Sequence, residues 1–95
     1  MDQRAEELLS DLATQLEATE ELPVDRTAGR WIGEAQAVAA DLTQGDPDTE
    51  TVRRRVDHVV DLLDNVDDAG HSDTNERVAT ARTLAIDLRE HLDSL

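Results

Sequence analysis

Carboxylates at helical spacing are the residues of this sequence that come nearest to a catalytic pattern. Glu17, Glu20 and Glu21 form a Glu-x-x-Glu-Glu segment, and side chains three or four positions apart lie on the same side of a helix. Carboxylates grouped in this way bind Mg²⁺, which polarises a phosphoryl oxygen and activates water. The acids that would supply facing ligands from another helix are Asp57, Asp61 and Asp64. The chemistry of such a site would be metal-dependent hydrolysis.

In this segment the chain resembles the all-α nucleotide pyrophosphohydrolases, which hold magnesium through Glu-x-x-Glu motifs. The resemblance implies a small magnesium-dependent hydrolase, which is the alternative function. With 23 acidic side chains among 95 residues, however, such spacings arise by chance in every helix. Ligands in two-metal helical bundles also project inward, whereas Glu17, Glu21, Asp57 and Asp61 lie off the apolar stripes of their helices. We therefore predict a protein that is not an enzyme, with no catalytic residue, no metal site and no cofactor.

The histidines and the basic residues carry no stronger pattern. Asp87 and His91 lie one helical turn apart, which favours a contact between them at the surface rather than a metal site without a third ligand. The only basic cluster is Arg53–Arg55, and the acids around it favour a solvated, salt-bridged surface. Nucleic acid is excluded as a partner because its binding needs clustered cations. The acids around the last turn, which would gather K⁺ or Na⁺ loosely as counterions, are Asp64, Asp67, Asp68 and Asp73.

The charge balance is the strongest compositional signal. All nine basic residues are arginine, and the formal net charge is −14. Such a charge destabilises a compact domain by self-repulsion, and molar salt screens that repulsion. The apolar residues are light, with many alanines and valines, one Trp and no Phe or Tyr. In these respects the chain resembles small acidic cytoplasmic proteins of haloarchaea, and the resemblance implies a halophilic protein.

Length and segment composition limit the organisation of the chain. Ninety-five residues predict a single domain over residues 1–95. The absence of cysteine excludes disulfides and thiolate metal sites. The acidic, amphipathic N-terminus is unlike a signal peptide, and no apolar run has the length of a membrane span. We therefore expect a cytoplasmic protein that has no membrane partner.

The apolar residues recur at helical spacing throughout, and turn residues divide the chain into four helices. Pro23 ends the first helix because it disfavours helical geometry in Leu22. Asp25 is the predicted N-cap of the second helix, Asp48 begins the third, and Ser72 or Asp73 caps the fourth. The predicted helices cover approximately residues 2–20, 25–43, 48–66 and 73–93.

Long helices joined by short loops predict an all-α fold, an antiparallel up-down-up-down four-helix bundle. The alternative is an open pair of hairpins completed by a partner chain. Shifts of 46 to 47 residues superpose the apolar stripes of the two hairpins, as in a duplicated hairpin, although any two amphipathic helices align in this way. The predicted stripes contain Ala5, Leu8, Leu9, Leu12, Leu16 and Thr19; Ala28, Trp31, Ile32, Ala35, Val38, Ala39 and Leu42; Val52, Val56, Val59, Val60, Leu63 and Val66; and Val78, Ala81, Leu84, Ala85, Leu88 and Leu92.

The second helix has an uncharged face opposite its apolar stripe, where the third helix carries acids. Two glycines inside a helix cost roughly 1 kcal/mol each relative to alanine, so this face requires a reason. The Gly-x-x-x-Gly-x-x-x-Ala spacing allows two helix backbones to approach closely. We interpret it as a non-catalytic interaction surface, most simply a two-fold homodimer contact and otherwise a surface for an unidentified protein partner. The alternatives are a plain solvent-exposed surface and a helix sandwiched within a less regular monomeric fold. The predicted interface residues are Gly29, Gly33, Gln36, Ala37 and Ala40.

Overall fold

The computed structural model describes all 95 residues and contains four α-helices and no β-strand. The helices are α1 (Gln3–Ala18), α2 (Arg26–Gln44), α3 (Thr49–Asp64) and α4 (Ser72–Asp93), and a single 3-10 turn, Thr19–Glu21, follows α1. The predicted all-α class is therefore confirmed. The ends of the helices differ from the predicted ends by at most two residues.

The four helices form a ring in which each packs mainly on two neighbours, and α4 packs most extensively on α1. Asp2, before α1, lies against His91 near the end of α4, so these two helices are antiparallel. Arg53 near the start of α3 bonds Asp93 at the end of α4, which makes that pair antiparallel as well. The bundle measures 37 × 22 × 17 Å. The predicted antiparallel four-helix bundle is confirmed.

Local chemistry explains where α1 ends and α3 begins. Leu22, before Pro23, is extended at φ −103° and ψ 147°, so the helix cannot continue through it. Asp48 is also extended, and its Oδ1 accepts the backbone N–H of Thr51 at 2.8 Å, which satisfies one of the unpaired donors at the start of a helix. The predicted start of α3 at Asp48 is correct.

The predicted cap position of α2 is correct, whereas the predicted cap of α4 is wrong. Asp25 occupies the N-cap position of α2, but its side chain bonds no backbone N–H. α4 begins at Ser72 with His71 as its N-cap residue, so neither Ser72 nor Asp73 is the cap. The turn before α4 is held instead by Asn75, whose Oδ1 accepts the N–H of Ala69 at 2.8 Å and whose Nδ2 donates to Asp68 Oδ1 at 2.9 Å.

The interior of the bundle is apolar. Of 24 buried residues, 22 are hydrophobic, all of them Ala, Val, Leu or Ile, and the other two are Thr19 and Thr74. The predicted stripes form this core, although Trp31, Val38, Val66 and Leu84 are only partly buried. The core members that the stripes did not include are Leu62, Ala69 and Thr74. All 23 acidic side chains are exposed. None of the helices has the length and hydropathy required to cross a membrane.

Candidate functional site

The predicted interface residues lie on one flank of α2, between its contact with α1 and open solvent. Gly33 and Ala37 are exposed, and Gln36 and Ala40 are partly buried. Gln36 Nε2 donates to Glu20 Oε1 at 2.6 Å, which places this flank beside the end of α1. We call the set Gly29, Gly33, Gln36, Ala37 and Ala40 the small-residue face.

Gly29, the first residue of the face, has a structural role inside the bundle. A Cβ atom added at Gly29 would lie 3.3 Å from Val24 Cγ1, closer than most Cβ contacts. Val24 belongs to the loop between α1 and α2, and it is partly buried against the core. Glycine at this position therefore lets the loop pack on the first turn of α2, and no second protein is needed to explain it.

Gly33, one turn further on, has no such explanation. A Cβ atom added there would meet no heavy atom within 4 Å. The residue is exposed in the middle of a 19-residue helix, where glycine costs roughly 1 kcal/mol relative to alanine. The bundle alone therefore gives no reason for glycine at position 33.

The carboxylates considered as metal ligands are not brought together. Glu17, Glu20 and Glu21 are exposed, as are Asp57 and Asp61. No group of three or more His, Asp or Glu side chains in the bundle is arranged to hold a metal ion. Glu20 bonds Gln36 instead. Asp57 bonds Arg89, whose Nη1 lies 2.9 Å from Asp57 Oδ1.

Ion pairs join α3 to the part of α4 between Arg82 and Asp93. Arg53 pairs with Asp93 at 3.4 Å and also with Glu50 of its own helix at 2.9 Å. The further pairs between the two helices are Asp57–Arg89 and Asp64–Arg82. Of the cluster Arg53–Arg55, only Arg53 pairs with an acid, and Arg54 and Arg55 are exposed. The interpretation of this cluster as salt-bridged surface therefore holds for Arg53.

His91 contacts a different acid from the predicted one. Its Nε2 lies 2.9 and 3.0 Å from the two carboxylate oxygens of Asp2, and it makes no hydrogen bond with Asp87. Asp2 also accepts the backbone N–H of Ala5 at 2.8 Å as the N-cap of α1. The contact joins the two ends of the chain, which helix periodicity within α4 cannot predict.

These bonds lower the pKa of the Asp2 carboxyl, the N–H of Ala5 contributing most and the His91 side chain next. A lowered pKa stabilises the folded state above the ordinary aspartate value of about 3.9, and this stabilisation is lost as the pH falls through the lowered pKa. Asp2→Asn keeps an oxygen for the N–H of Ala5 but carries no charge. We expect it to melt below the parent protein at neutral pH, and the difference to close below about pH 4.

Thermal unfolding followed by circular dichroism between neutral and acid pH measures this difference. Asp11→Asn is the matched control, because Asp11 is exposed, bonds no other side chain and carries the same charge. A gap between Asp2→Asn and the parent protein that stays constant down to the lowest pH would contradict the role given to the charge of Asp2.

Comparison with known proteins places the chain in a family. No curated protein and no solved structure matches it significantly. Residues 8–94, which include all of α2, α3 and α4 and most of α1, match the model of one family. The chain therefore belongs to the family described as a domain of unknown function, DUF8152.

Proposed function

We propose that this protein is a non-catalytic helical interaction module of a halophile, which works in the cytoplasm and forms a homodimer through the small-residue face of α2. The observation that carries the proposal is the exposed, uncrowded glycine at position 33. A second subunit packed there would offset the cost of glycine, because a residue without a side chain lets two helix backbones come close.

Two further observations support this function. The interior is filled by aliphatic side chains, and every acid lies on the surface, as expected for a bundle whose polar groups serve solubility. The protein carries a net charge of −14 over a surface of 5549 Å², so most contacts between two copies would bring acids close together. The small-residue face has no charged member, so it is a place where two copies can approach.

Substitutions at Gly33 test the proposal, because the dimer and the free surface predict opposite signs. On a free helix surface Gly33→Ala should stabilise the protein by about 1 kcal/mol, the difference in helix propensity. In a close contact between helices, added bulk costs about 1–3 kcal/mol. We expect Gly33→Leu to dissociate the dimer in high salt and to lower its melting temperature. Sedimentation and thermal melting measure the two effects.

Ala79→Leu is the matched control, because Ala79 is exposed on α4, which is not one of the two helices on which α2 packs. It adds a large apolar side chain without touching the proposed contact, so the dimer should persist. A monomeric parent protein, together with a Gly33→Ala variant of higher melting temperature, would show that the face is ordinary surface.

A further inference from the structure

α2 differs from the other helices in the balance of its charges. Between Arg26 and Gln44 the helix carries two arginines and two acids, whereas each of the other three carries more acids than arginines. Both arginines, Arg26 and Arg30, lie in its first half, and Glu34 and Asp41 follow. α2 therefore changes from positive to negative along its length.

Arg30 and Asp41 hold matching positions beside the small-residue face. They are eleven residues apart, which is about three helical turns, so they lie on nearly the same line along the helix. Their midpoint falls between Gly33 and Ala37. A two-fold axis through the smallest part of the face would therefore bring Arg30 of one copy opposite Asp41 of the other.

Within a single chain these two side chains lack strong partners. Asp41 is exposed, and its carboxylate makes no hydrogen bond and no ion pair. Arg30 is 74% exposed, and its Nε lies 3.8 Å from Glu34 Oε1 in a loose contact. Its guanidinium carbon lies 5.7 Å from the centroid of the Trp31 ring. Both charged groups are thus accessible to a partner.

We propose that the occupant of this face is a second copy of the chain whose α2 runs antiparallel, with Arg30 of each copy paired to Asp41 of the other. The inference rests on the proposed function and adds to it the orientation of the partner. A parallel pair of α2 helices would place arginine opposite arginine and Asp41 opposite Asp41, which like-charge repulsion disfavours. The antiparallel pair places the part of α2 that holds Arg26 and Arg30 opposite the part that holds Asp41, and the only like charges that it brings near each other are the two copies of Glu34 beside the axis.

Charge reversal tests the pairing. In about 1 M KCl long-range repulsion is screened while close pairs in a contact are screened much less. We expect Arg30→Asp and Asp41→Arg each to weaken the dimer at least about tenfold, and the double variant Arg30→Asp/Asp41→Arg to recover most of the loss. Arg54→Asp is the matched control for Arg30→Asp, because it changes the net charge by the same amount at an exposed residue of α3 that has no ion pair. Sedimentation over a concentration series gives the dissociation constants.

Cysteine cross-linking tests the orientation independently, because the chain has no native cysteine. In the antiparallel pair the two copies of position 37 lie close to the two-fold axis. The two copies of position 44 lie at opposite ends of the contact, about 25 Å apart along the direction of the helices. We expect Ala37→Cys to form a disulfide dimer under oxidation and Gln44→Cys not to do so. Equal cross-linking at both positions would indicate parallel helices.

The outcomes separate this inference from the proposed function. A parent protein that stays monomeric at high concentration overturns both. A dimer that Gly33→Leu dissociates, but that Arg30→Asp and Asp41→Arg leave unchanged, overturns the pairing alone. Recovery of the dimer in the double variant, with cross-linking at position 37 only, supports the antiparallel contact.

Discussion

Transfer from about 1 M to about 0.01 M KCl is expected to unfold the bundle or to lower its melting temperature steeply, with loss of the helical circular dichroism signal. The Debye length is about 30 Å at the lower concentration, which is comparable to the 37 Å length of the molecule. All 23 exposed acids then repel one another. At about 1 M KCl the Debye length falls to about 3 Å, so each charged group interacts only with its close neighbours.

The surface ion pairs stabilise the fold more in dilute buffer than in concentrated salt, but they are too weak to offset the repulsion among the acids. Exposed pairs contribute at most about 1 kcal/mol each, and only nine arginines are present to form them. They are concentrated between α3 and α4, whereas no ion pair joins α2 to another helix. In dilute buffer we therefore expect the amide protons of α2 to lose their protection against exchange before those of the α3–α4 hairpin.

Sucrose separates screening from the general strengthening of apolar burial, because it is excluded from the protein surface and carries no charge. If repulsion dominates, sucrose in dilute buffer should restore much less stability than KCl does. A melting temperature as high in dilute buffer as in concentrated KCl would refute the halophilic interpretation.

The helices could be predicted because their signals are local. Apolar residues at helical spacing locate the buried side of each helix, and Pro23 and Asp48 act on their immediate neighbours. The burial of Leu62 could not be read in this way, because it lies beside the stripe of α3. α3 packs on both α2 and α4, so the buried side of α3 is wider than its apolar stripe and includes Leu62.

The details of the candidate site depend on segments that are distant in the sequence. The Gly-x-x-x-Gly spacing predicted one role for both glycines, but Val24 accounts for Gly29 and leaves only Gly33 without an explanation. Likewise, His91 bonds Asp2, 89 positions away, rather than its helical neighbour Asp87. Periodicity indicates which side of a helix a residue occupies and not which distant residue lies opposite.

The loop between α1 and α2 contacts the loop between α3 and α4 at one end of the bundle. This contact, too, joins segments that are distant in the sequence. The N–H of Asp25 donates to the carbonyl of Ala69 at 2.9 Å, and the fully buried Thr74 hydroxyl donates to the carbonyl of Pro23 at 2.6 Å. Gly70 has φ +85°, the only positive φ in the chain, and the carboxyl group of Asp25 lies directly against it. The carboxylate that was expected to cap α2 thus packs on the opposite loop.

Gly70→Ala is therefore expected to destabilise the protein by roughly 2–5 kcal/mol. The left-handed conformation costs a non-glycine residue about 1–2 kcal/mol, and overpacking against Asp25 adds about 1–3 kcal/mol. The added Cβ would lie 2.6 Å from Asp25 Cγ, so the carboxyl group must move. At roughly 4–8 °C per kcal/mol, the melting temperature in high salt should fall by about 10 °C or more.

A double-mutant cycle with Asp25→Ala separates the two costs. Asp25→Ala removes the three atoms nearest to the added Cβ, and alone it breaks no capping bond because the side chain of Asp25 makes none. In that background Gly70→Ala should retain the backbone cost of about 1–2 kcal/mol and lose the rest. If Gly70→Ala costs the same in both backgrounds, the Asp25 carboxylate turns aside freely and backbone strain alone fixes glycine at position 70. If it costs nothing in either background, the loop has a different conformation in solution.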